Sequence, residues 1–326
     1  MFKKLGLLAL TVVLSLLLTF LIIEGMPGNP VEVMADTYVR TEGLTYDVAY
    51  ERAKMTLNYD PKTPLHERFS KYLKGIVTGD LGESMYYRRP VTEVIFNALP
   101  WTLLIVTVSL FLSFTVGCFI GIYIALKRNK VLDAVLIMYS SIFGAIPDYI
   151  IGFILIFILS IELGLLPARG AYGADVIRGF NMPFILSVIK HSILPITAYF
   201  ITQVGGWMMS MKASCTSVLG EDYIQYARAR GLSEKRIITS YVGRNAILPM
   251  VTSLAISFGF MFGGAPLVEN LFIYPGLGYY LGQATGQRDF TMMQGMFFLI
   301  ILMVTTASLV AELLYSVLNP RLRVKG

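Results

Sequence analysis

The chain alternates between long apolar runs and polar segments, and the lengths of the apolar runs are its first structural signal. Six runs approach the roughly 20 apolar residues that a helix needs to cross the hydrocarbon core of a membrane. The first run is longer than the core of a secretion signal and no small-residue cleavage site follows it, so we expect it to be retained. We predict six transmembrane helices, at about 5–23, 101–126, 134–163, 193–211, 247–268 and 292–318.

The polar segment 25–99 is too long to be only a connection. It is predicted to hold one helix at 46–57 and a second that starts at Thr63-Pro64, with Thr63 as its cap, and ends at Gly79. Apolar residues of the second helix recur at spacings of three and four, which gives it an apolar face. We therefore predict a small packed helical domain between the first and second spans.

A second polar segment, 221–249, is basic and is set between two apolar runs. Its first part, 221–230, is rich in good helix formers. Gly231 is suited to end that helix in a left-handed conformation, and Ser233 is suited to cap another. Pro249 is followed by a long apolar run and is predicted to mark the start of the next span.

The composition indicates a membrane protein. Hydrophobic residues make up 55% of the 326 residues and charged residues 15%, whereas soluble domains carry about 25% charged residues. The mean hydropathy is +0.65. The alternative is a soluble α-helical protein with long core helices, but such a protein needs no runs of membrane-spanning length. We predict an all-α polytopic membrane protein.

Lysine and arginine are distributed unevenly over the short loops, which predicts the orientation. The termini and the loops on the N-terminal side of the membrane hold 14 of these residues, and the opposite short loops hold four. Both termini and the segment 221–249 are therefore predicted to be cytoplasmic, and the net charge of +6 requires no nucleic-acid partner. The predicted parts are a first transmembrane helix (1–24), an extracytoplasmic domain (25–99), a five-helix core that includes 221–249 (100–318) and a cytoplasmic tail (319–326).

The sequence shows no constellation for catalysis. It has no phosphate-binding loop of the G-x-x-x-x-G-K-[ST] type, so any ATP must be held by another chain, and no enzyme activity is expected. Cys118 and Cys215 cannot form a disulfide framework. His66 and His191 have no cysteine or histidine beside them, so we predict no metal site and no cofactor bound by this chain.

The segment 221–249 resembles the "EAA" loop of the permease subunits of ABC importers. That loop has the pattern Glu-Ala-Ala, three residues, Gly, and a distal Ile-x-Leu-Pro. Ala227 and Gly231 match the pattern strictly, whereas Gln225 and Tyr226 depart from it. The distal Ile-Leu-Pro also lies farther from the glycine than in the general pattern.

At both departures the segment resembles one subfamily, the dipeptide, oligopeptide and nickel permeases. Its ARAKGLS…RNALLP is matched by 227–233 and 244–249, its MPGDP by 26–30, its GDLG-S by 79–84 and its VE-IF-WPGLG by 268–278. The resemblance runs from about residue 5 to about residue 323.

This resemblance implies the six-helix fold of type I importer permeases and a heterodimer with a second, homologous permease. Substrate would pass between the two permeases, within the lipid of a bacterial or archaeal inner or plasma membrane. Two cytoplasmic ABC ATPases would bind ATP and Mg, and an extracytoplasmic solute-binding protein would deliver the cargo. Peptides are the commonest cargo of the subfamily, and nickel or a metal chelate is the alternative.

The resemblance also assigns coupling to the ATPases to the segment 221–249. Ala227 and Gly231 would let a partner surface approach closely, while Arg228 and Arg230 would form ion pairs at that surface. A basic loop retained only for topology is the alternative. The full predicted set is Gln225, Tyr226, Ala227, Arg228, Arg230, Gly231 and Leu232.

Three residues inside predicted spans are candidates for the translocation path. A charge inside a membrane is costly, so Asp148, which follows Pro147, either faces the path or caps a helix broken by proline. Gln203 and Trp207 lie one turn apart and either line the path or pack between helices.

The turn formed by Tyr274, Pro275 and Gly276 resembles a loop that closes the outer mouth or touches the binding protein in this family. A structural cap is the alternative reading of the same turn.

Two other classes of protein remain open. A proton-coupled carrier would use an acid such as Asp148 as its relay, but such carriers usually show internal repeats, and we find none in this sequence. A receptor or scaffold would need a sizeable cytoplasmic signalling domain, which the predicted topology lacks.

Overall fold

The computed structural model describes residues 2–57, 59–264 and 266–318, and the predicted tail 319–326 lies outside this part. The described residues are largely helical, and the β structure among them is one isolated antiparallel bridge between Glu83 and Pro90. The predicted all-α class is confirmed.

Fourteen α-helices and two π-helical segments follow one another along the described chain. The π-helical segments are Ile156–Glu162, which continues α7, and Ile237–Gly243, which joins α10 to α11. The α-helices are α1 (Phe2–Glu24), α2 (Pro30–Glu42), α3 (Tyr46–Leu57), α4 (Leu65–Thr78), α5 (Val91–Lys127), α6 (Lys130–Ala145), α7 (Asp148–Leu155), α8 (Met182–Leu219), α9 (Asp222–Ala229), α10 (Glu234–Arg236), α11 (Arg244–Gly264), α12 (Pro266–Leu271), α13 (Leu277–Gly286) and α14 (Phe290–Leu318).

Four helices of the described part are long and apolar enough to cross a membrane, and a bent pair of helices makes a fifth candidate if its parts form one span. These five agree with five of the six predicted spans. The sixth, 247–268, falls on α11 and α12 and includes residue 265, which is outside the described part, so the six-span count stays a prediction. The apolar stretches are Gly6–Glu24, Val91–Lys127, Met182–Leu219 and Phe290–Leu313, and the bent pair is Lys130–Ala145 with Asp148–Glu162.

The third predicted span is a bent pair rather than one helix. α6 ends at Ala145, and the axis turns by 92° before α7 begins. Ile146 has φ −86° and ψ 125°, an extended conformation. Pro147 is the cause, because a proline disfavours the helical conformation of the residue before it and provides no backbone N–H.

The chain divides into two compact units. Unit 1 consists of Met1–Pro100 and Gly276–Thr305, and unit 2 consists of Trp101–Pro275 and Thr306–Gly326.

Unit 1 contains α3 and α4, the two helices predicted for the segment 25–99. α3 has the predicted bounds, and α4 ends at Thr78 with Gly79 as its C-cap, whose φ of 75° is left-handed. The cap position of α4 is Pro64, with no side-chain hydrogen bond, so the predicted capping by Thr63 is wrong by one residue.

The sequence-based prediction lacks α2, which also lies in unit 1. Asn29 caps this helix, because its side chain accepts a hydrogen bond from the backbone N–H of Val31 at 2.9 Å, and Pro30 occupies the first helical position. The helix packs against α3 through small side chains. The buried residues of this contact are Val31, Ala35, Tyr38, Ala49 and Ala53.

A buried carboxylate ties the loop before α5 to the start of α14 within unit 1. Asp289 is fully buried, and its Oδ2 accepts hydrogen bonds from the hydroxyl of Ser84 and the backbone N–H of Tyr86. Its Oδ1 accepts one from the backbone N–H of Met292 at 3.0 Å. Three donors therefore offset the desolvation of one carboxylate.

Unit 2 packs α5 against α8 at two glycines. A Cβ atom on Gly117 would lie 2.5 Å from the Cβ of Trp207, and one on Gly121 would lie 2.6 Å from the carbonyl oxygen of Met208. The glycines therefore allow the two helices to approach closely, as small residues at a spacing of four often do in membranes.

Two pairs of buried polar side chains in unit 2 form hydrogen bonds between separate parts of the chain. The hydroxyl of Thr102 donates to Glu269 Oε1 at 2.7 Å, and both residues are fully buried. The hydroxyls of Ser192 and Tyr274 lie 3.0 Å apart and share a hydrogen bond. Each pair joins a long helix to the region around α12.

We predict that Asp289→Ala destabilises the protein by about 2–4 kcal/mol, because it leaves three buried donors without their acceptor. Thermal unfolding of the purified protein in detergent measures this effect. Asp80→Ala is the matched control, since Asp80 is exposed and accepts a hydrogen bond from Gly82 N–H at 3.0 Å. Equal melting temperatures for the two variants would contradict a structural role of Asp289.

Candidate functional site

The segment 221–249 begins as two helices joined by a glycine turn. α9 ends at Ala229, and Gly231 follows with a φ of 71°, the left-handed conformation predicted for it. Ser233 occupies the N-cap position of α10, as predicted, without a side-chain hydrogen bond.

The second helix of this segment continues without interruption. α10, the π-helical segment and α11 together run from Glu234 to Gly264. Pro249 lies inside α11 and does not begin a helix, and its place at the start of a membrane span stays a prediction. Proline in a membrane helix is tolerated where neighbouring groups satisfy the freed backbone carbonyl, which is why its position does not define a helix boundary here.

One face of the segment is buried in unit 2. Ile224 on α9 and Ile237 in the π-helical segment are fully buried. They pack in one cluster with residues of α5, α8 and α11, which are Cys118, Ala125, Met211, Cys215, Ala246 and Met250. The segment is therefore fixed to the membrane helices along its length rather than hanging from them as a free loop.

The opposite face is exposed. Tyr226 is 73% exposed, and Gln225, Arg230 and Gly231 are exposed beside it. Arg228 is also exposed, and its Nε lies 3.1 Å from Glu234 Oε1, so this ion pair joins α9 to α10. These two contrasting faces make the segment suitable for docking a partner on one side and transmitting force on the other.

The structure changes the role predicted for Ala227. This residue is only 3% exposed and belongs to the buried cluster. Leu232 is partly buried and packs against the same cluster. The small side chain of Ala227 therefore lets α9 lie close to its own neighbouring helices, and it cannot meet a partner surface directly.

An open cavity of about 630 Å³ lies between α6, α7, α8 and α11 of unit 2. All three residues predicted for the translocation path, Asp148, Gln203 and Trp207, line it. Their assembly could not be read from local sequence, because Asp148 begins α7 and the other two lie on α8. The remaining lining residues are Ser140, Gly144, Tyr199, Thr202, Gly206, Ser210, Ser253, Ser257 and Met261.

The side chain of Asp148 faces α8 within this cavity. Its Oδ1 accepts a hydrogen bond from the hydroxyl of Thr202. The cap position of α7 is Pro147, and no side-chain capping hydrogen bond is present there. Of the two roles considered for Asp148, contact with a cavity fits this geometry better than capping.

Sequence reasoning missed most of the polar residues that line the cavity. On α8, the lining residues Tyr199, Gln203, Gly206 and Ser210 recur at spacings of three and four, and on α11 Ser253 and Ser257 lie four apart. A polar or small stripe at helical spacing inside an apolar run was the signal that could have revealed them.

The predicted outer turn is anchored by a buried residue. Tyr274 is fully buried and packs edge-on against Trp101, with ring centroids 5.9 Å apart. Burial raises the pKa of its hydroxyl to about 12. Pro275 is partly buried and Gly276 is buried, so direct contact of Tyr274 with a binding protein is not supported, and the structural cap describes it better.

Comparison with known proteins gives a consistent set of relatives. Residues 117–324 match the family described as binding-protein-dependent transport system inner membrane component. The dipeptide transport system permease protein of Escherichia coli (strain K12) is 30% identical over 339 residues, covering 99% of this chain and 98% of that protein.

Two further relatives have comparable identity. The oligopeptide transport system permease protein of Bacillus subtilis (strain 168) is 30% identical over 94% of this chain and 93% of that protein. The glutathione transport system permease protein of Salmonella choleraesuis (strain SC-B67) is 31% identical over 97% of this chain and 95% of that protein. The segment 221–249 and the cavity both fall within the residues that match the family.

We predict that Ala227→Leu destabilises the segment by about 1–3 kcal/mol, because it overpacks a buried position. Ala229→Leu is the matched control, since Ala229 is exposed two residues later in the same helix. Limited proteolysis between 221 and 249, together with the melting temperature in detergent, measures the difference. If Ala229→Leu were the more disruptive change, the buried and exposed faces would be assigned incorrectly.

Proposed function

Because the chain belongs to the family of binding-protein-dependent transport system inner membrane components, we propose that it forms half of the membrane pathway of an ATP-driven peptide importer. The family consists of transport subunits, so the chain is a polytopic membrane subunit rather than an enzyme, as predicted. The names of its relatives, which specify dipeptide, oligopeptide and glutathione transport, favour peptides over the nickel or chelate alternative.

The two faces of the segment 221–249 carry this proposal. An ATPase would bind the exposed face formed by Gln225, Tyr226, Arg230 and Gly231. The buried face would pass its movement to α5, α8 and α11, because interdigitated cores deform little under load. In this reading Arg228 holds the two short helices together, and Ala227 and Leu232 fix them to the core.

The proposed assembly has further members. A second, homologous permease would supply the other half of the path, and two cytoplasmic ABC ATPases would bind ATP and Mg. A solute-binding protein would deliver the peptide on the opposite side. This arrangement requires both termini and the segment 221–249 to be cytoplasmic and 25–99 to be extracytoplasmic, as the distribution of Lys and Arg predicts.

The cavity lined by Asp148, Gln203 and Trp207 is the proposed contribution of this chain to the path. Closure of the ATPases would rock the helices as rigid bodies and expose the path to one side at a time. The turn at Tyr274 would act as a fixed support for neighbouring helices during this motion.

We predict that Gly231→Arg lowers ATP-driven peptide uptake at least about tenfold while the subunit is still inserted, because a bulky charge would sit in the ATPase interface. The measurements are uptake into proteoliposomes and copurification of the ATPases.

Gly43→Arg is the matched control for Gly231→Arg. Gly43 has a φ of 67°, close to the 71° of Gly231, and a Cβ on either residue would meet nothing within 4 Å. Both substitutions therefore impose similar backbone strain of about 1–2 kcal/mol. Wild-type uptake by the Gly231 variant would rule out close docking at this turn.

We expect ATP enclosed with the ATPases to drive accumulation of a labelled peptide in proteoliposomes that contain the complete complex. A proton gradient without ATP should drive none. Accumulation driven by the gradient alone would instead support a proton-coupled carrier.

A further inference from the structure

We propose that the carboxylate of Asp148 binds the ammonium group of a peptide during its passage through the cavity. This inference rests on the proposed function and deepens it, because it identifies the chemical group that the pathway recognises. The free α-amino group is a cation that unmodified peptides carry, whatever their side chains.

The charge of the cavity is the first observation. Among the described residues that line it, Asp148 is the one with a formal charge, and the others are apolar, amide or hydroxyl side chains and glycines. Where the surroundings have a lower dielectric constant than water, a carboxylate without a neighbouring cation attracts a cation and repels an anion more strongly than it would in water. The cavity is therefore suited to a positively charged group.

The second observation is how few donors this carboxylate has. Among the described residues, one donates a hydrogen bond to this side chain, namely Thr202 through its hydroxyl. An ionised carboxylate can accept about four, so acceptor capacity remains for a ligand. Ionisable residues inside membrane segments mark functional sites by default, because their desolvation must be offset by a partner.

A third, independent observation is a buried hydroxyl without a partner. Tyr199 lines the same cavity and is only 2% exposed. Its OH has no hydrogen-bond partner among the described residues. Its side chain packs in the buried cluster that also contains Leu194 and Phe272, beside the cavity. Such a buried polar atom is unfavourable unless a ligand or water satisfies it.

Together these groups match a peptide terminus. The ammonium can donate to the free acceptor positions of the Asp148 carboxylate, because an ionised carboxylate only accepts hydrogen bonds and an ammonium only donates them. Gln203 and the serines of α11 remain for the amide groups that follow the terminus along the chain. A single carboxylate among neutral groups gives modest affinity, which lets the peptide leave again.

The test uses the complete complex with its binding protein in proteoliposomes, with ATP enclosed with the ATPases. The probes are a labelled peptide with a free amine and its N-formyl derivative. The pair is chosen so that the binding protein binds both peptides equally well, and each is used at a saturating concentration. We expect Asp148→Asn to lower uptake of the free-amine peptide about tenfold or more, and uptake of the formyl peptide by less than about twofold.

Two further variants keep the test decisive if Asn disturbs folding. Asp148→Glu retains the charge and should restore most of the uptake of the free-amine peptide. Asp175 has an exposed carboxylate and lies in the connection between Ile156–Glu162 and α8. Asp175→Asn should leave uptake of both peptides unchanged.

The outcomes separate this inference from the proposed function. Wild-type uptake of the free-amine peptide by Asp148→Asn, or an equal loss for both peptides, would overturn the role of Asp148 and leave the importer intact. Failure of Asp148→Glu to restore uptake beyond Asp148→Asn would also overturn it. A wild-type complex that accumulates neither peptide with ATP would refute the proposed function, and this inference with it.

Discussion

Burial of carboxylates among apolar helices is the constraint on which the fold and the candidate site both depend. A buried carboxylate is stable only with hydrogen-bond donors around it, and the described acids differ in how many they have. Asp289 in unit 1 has three donors and no room for a ligand, so its role is structural. Glu269 in unit 2 accepts from the buried Thr102. Asp148 is only partly buried, accepts one side-chain hydrogen bond and lines a cavity, which is what the proposed binding of a cation requires.

The proposed docking role of the segment 221–249 sets a second constraint, because a docking surface can transmit force only if it is rigid. Ile224 and Ile237 are fully buried, and each contributes about 1.5–3 kcal/mol by leaving water. The ion pair between Arg228 and Glu234 is exposed and contributes little energy, so it orients the helices rather than holding them. The helix that starts at Glu234 continues into α11, which is the connection that the proposed coupling requires.

Local signals predicted the elements that local physics determines. The helix 46–57 was predicted with the bounds of α3, an apolar stripe predicted α4, and glycine predicted the left-handed turn at Gly231. α2 escaped prediction because only Pro30, Val31, Ala35 and Tyr38 are buried along its 13 residues, which gives a weak periodic signal. The burial of Ala227 and Tyr274, and the meeting of Asp148 with Gln203 and Trp207, depend on contacts between helices distant in sequence. No spacing rule within a single helix contains that information.

The break at Ile146 and Pro147 links the fold to the cavity. In hydrocarbon, an interrupted helix exposes backbone groups that nothing can satisfy, so such breaks occur where they face protein or a polar cavity. Here the break places the first turn of α7 where Asp148 lines the cavity. The serines and the amide around it make the lining polar enough to hold water. The proline that divides the apolar run therefore also accounts for a polar concavity between apolar helices, and for an acid being tolerated there.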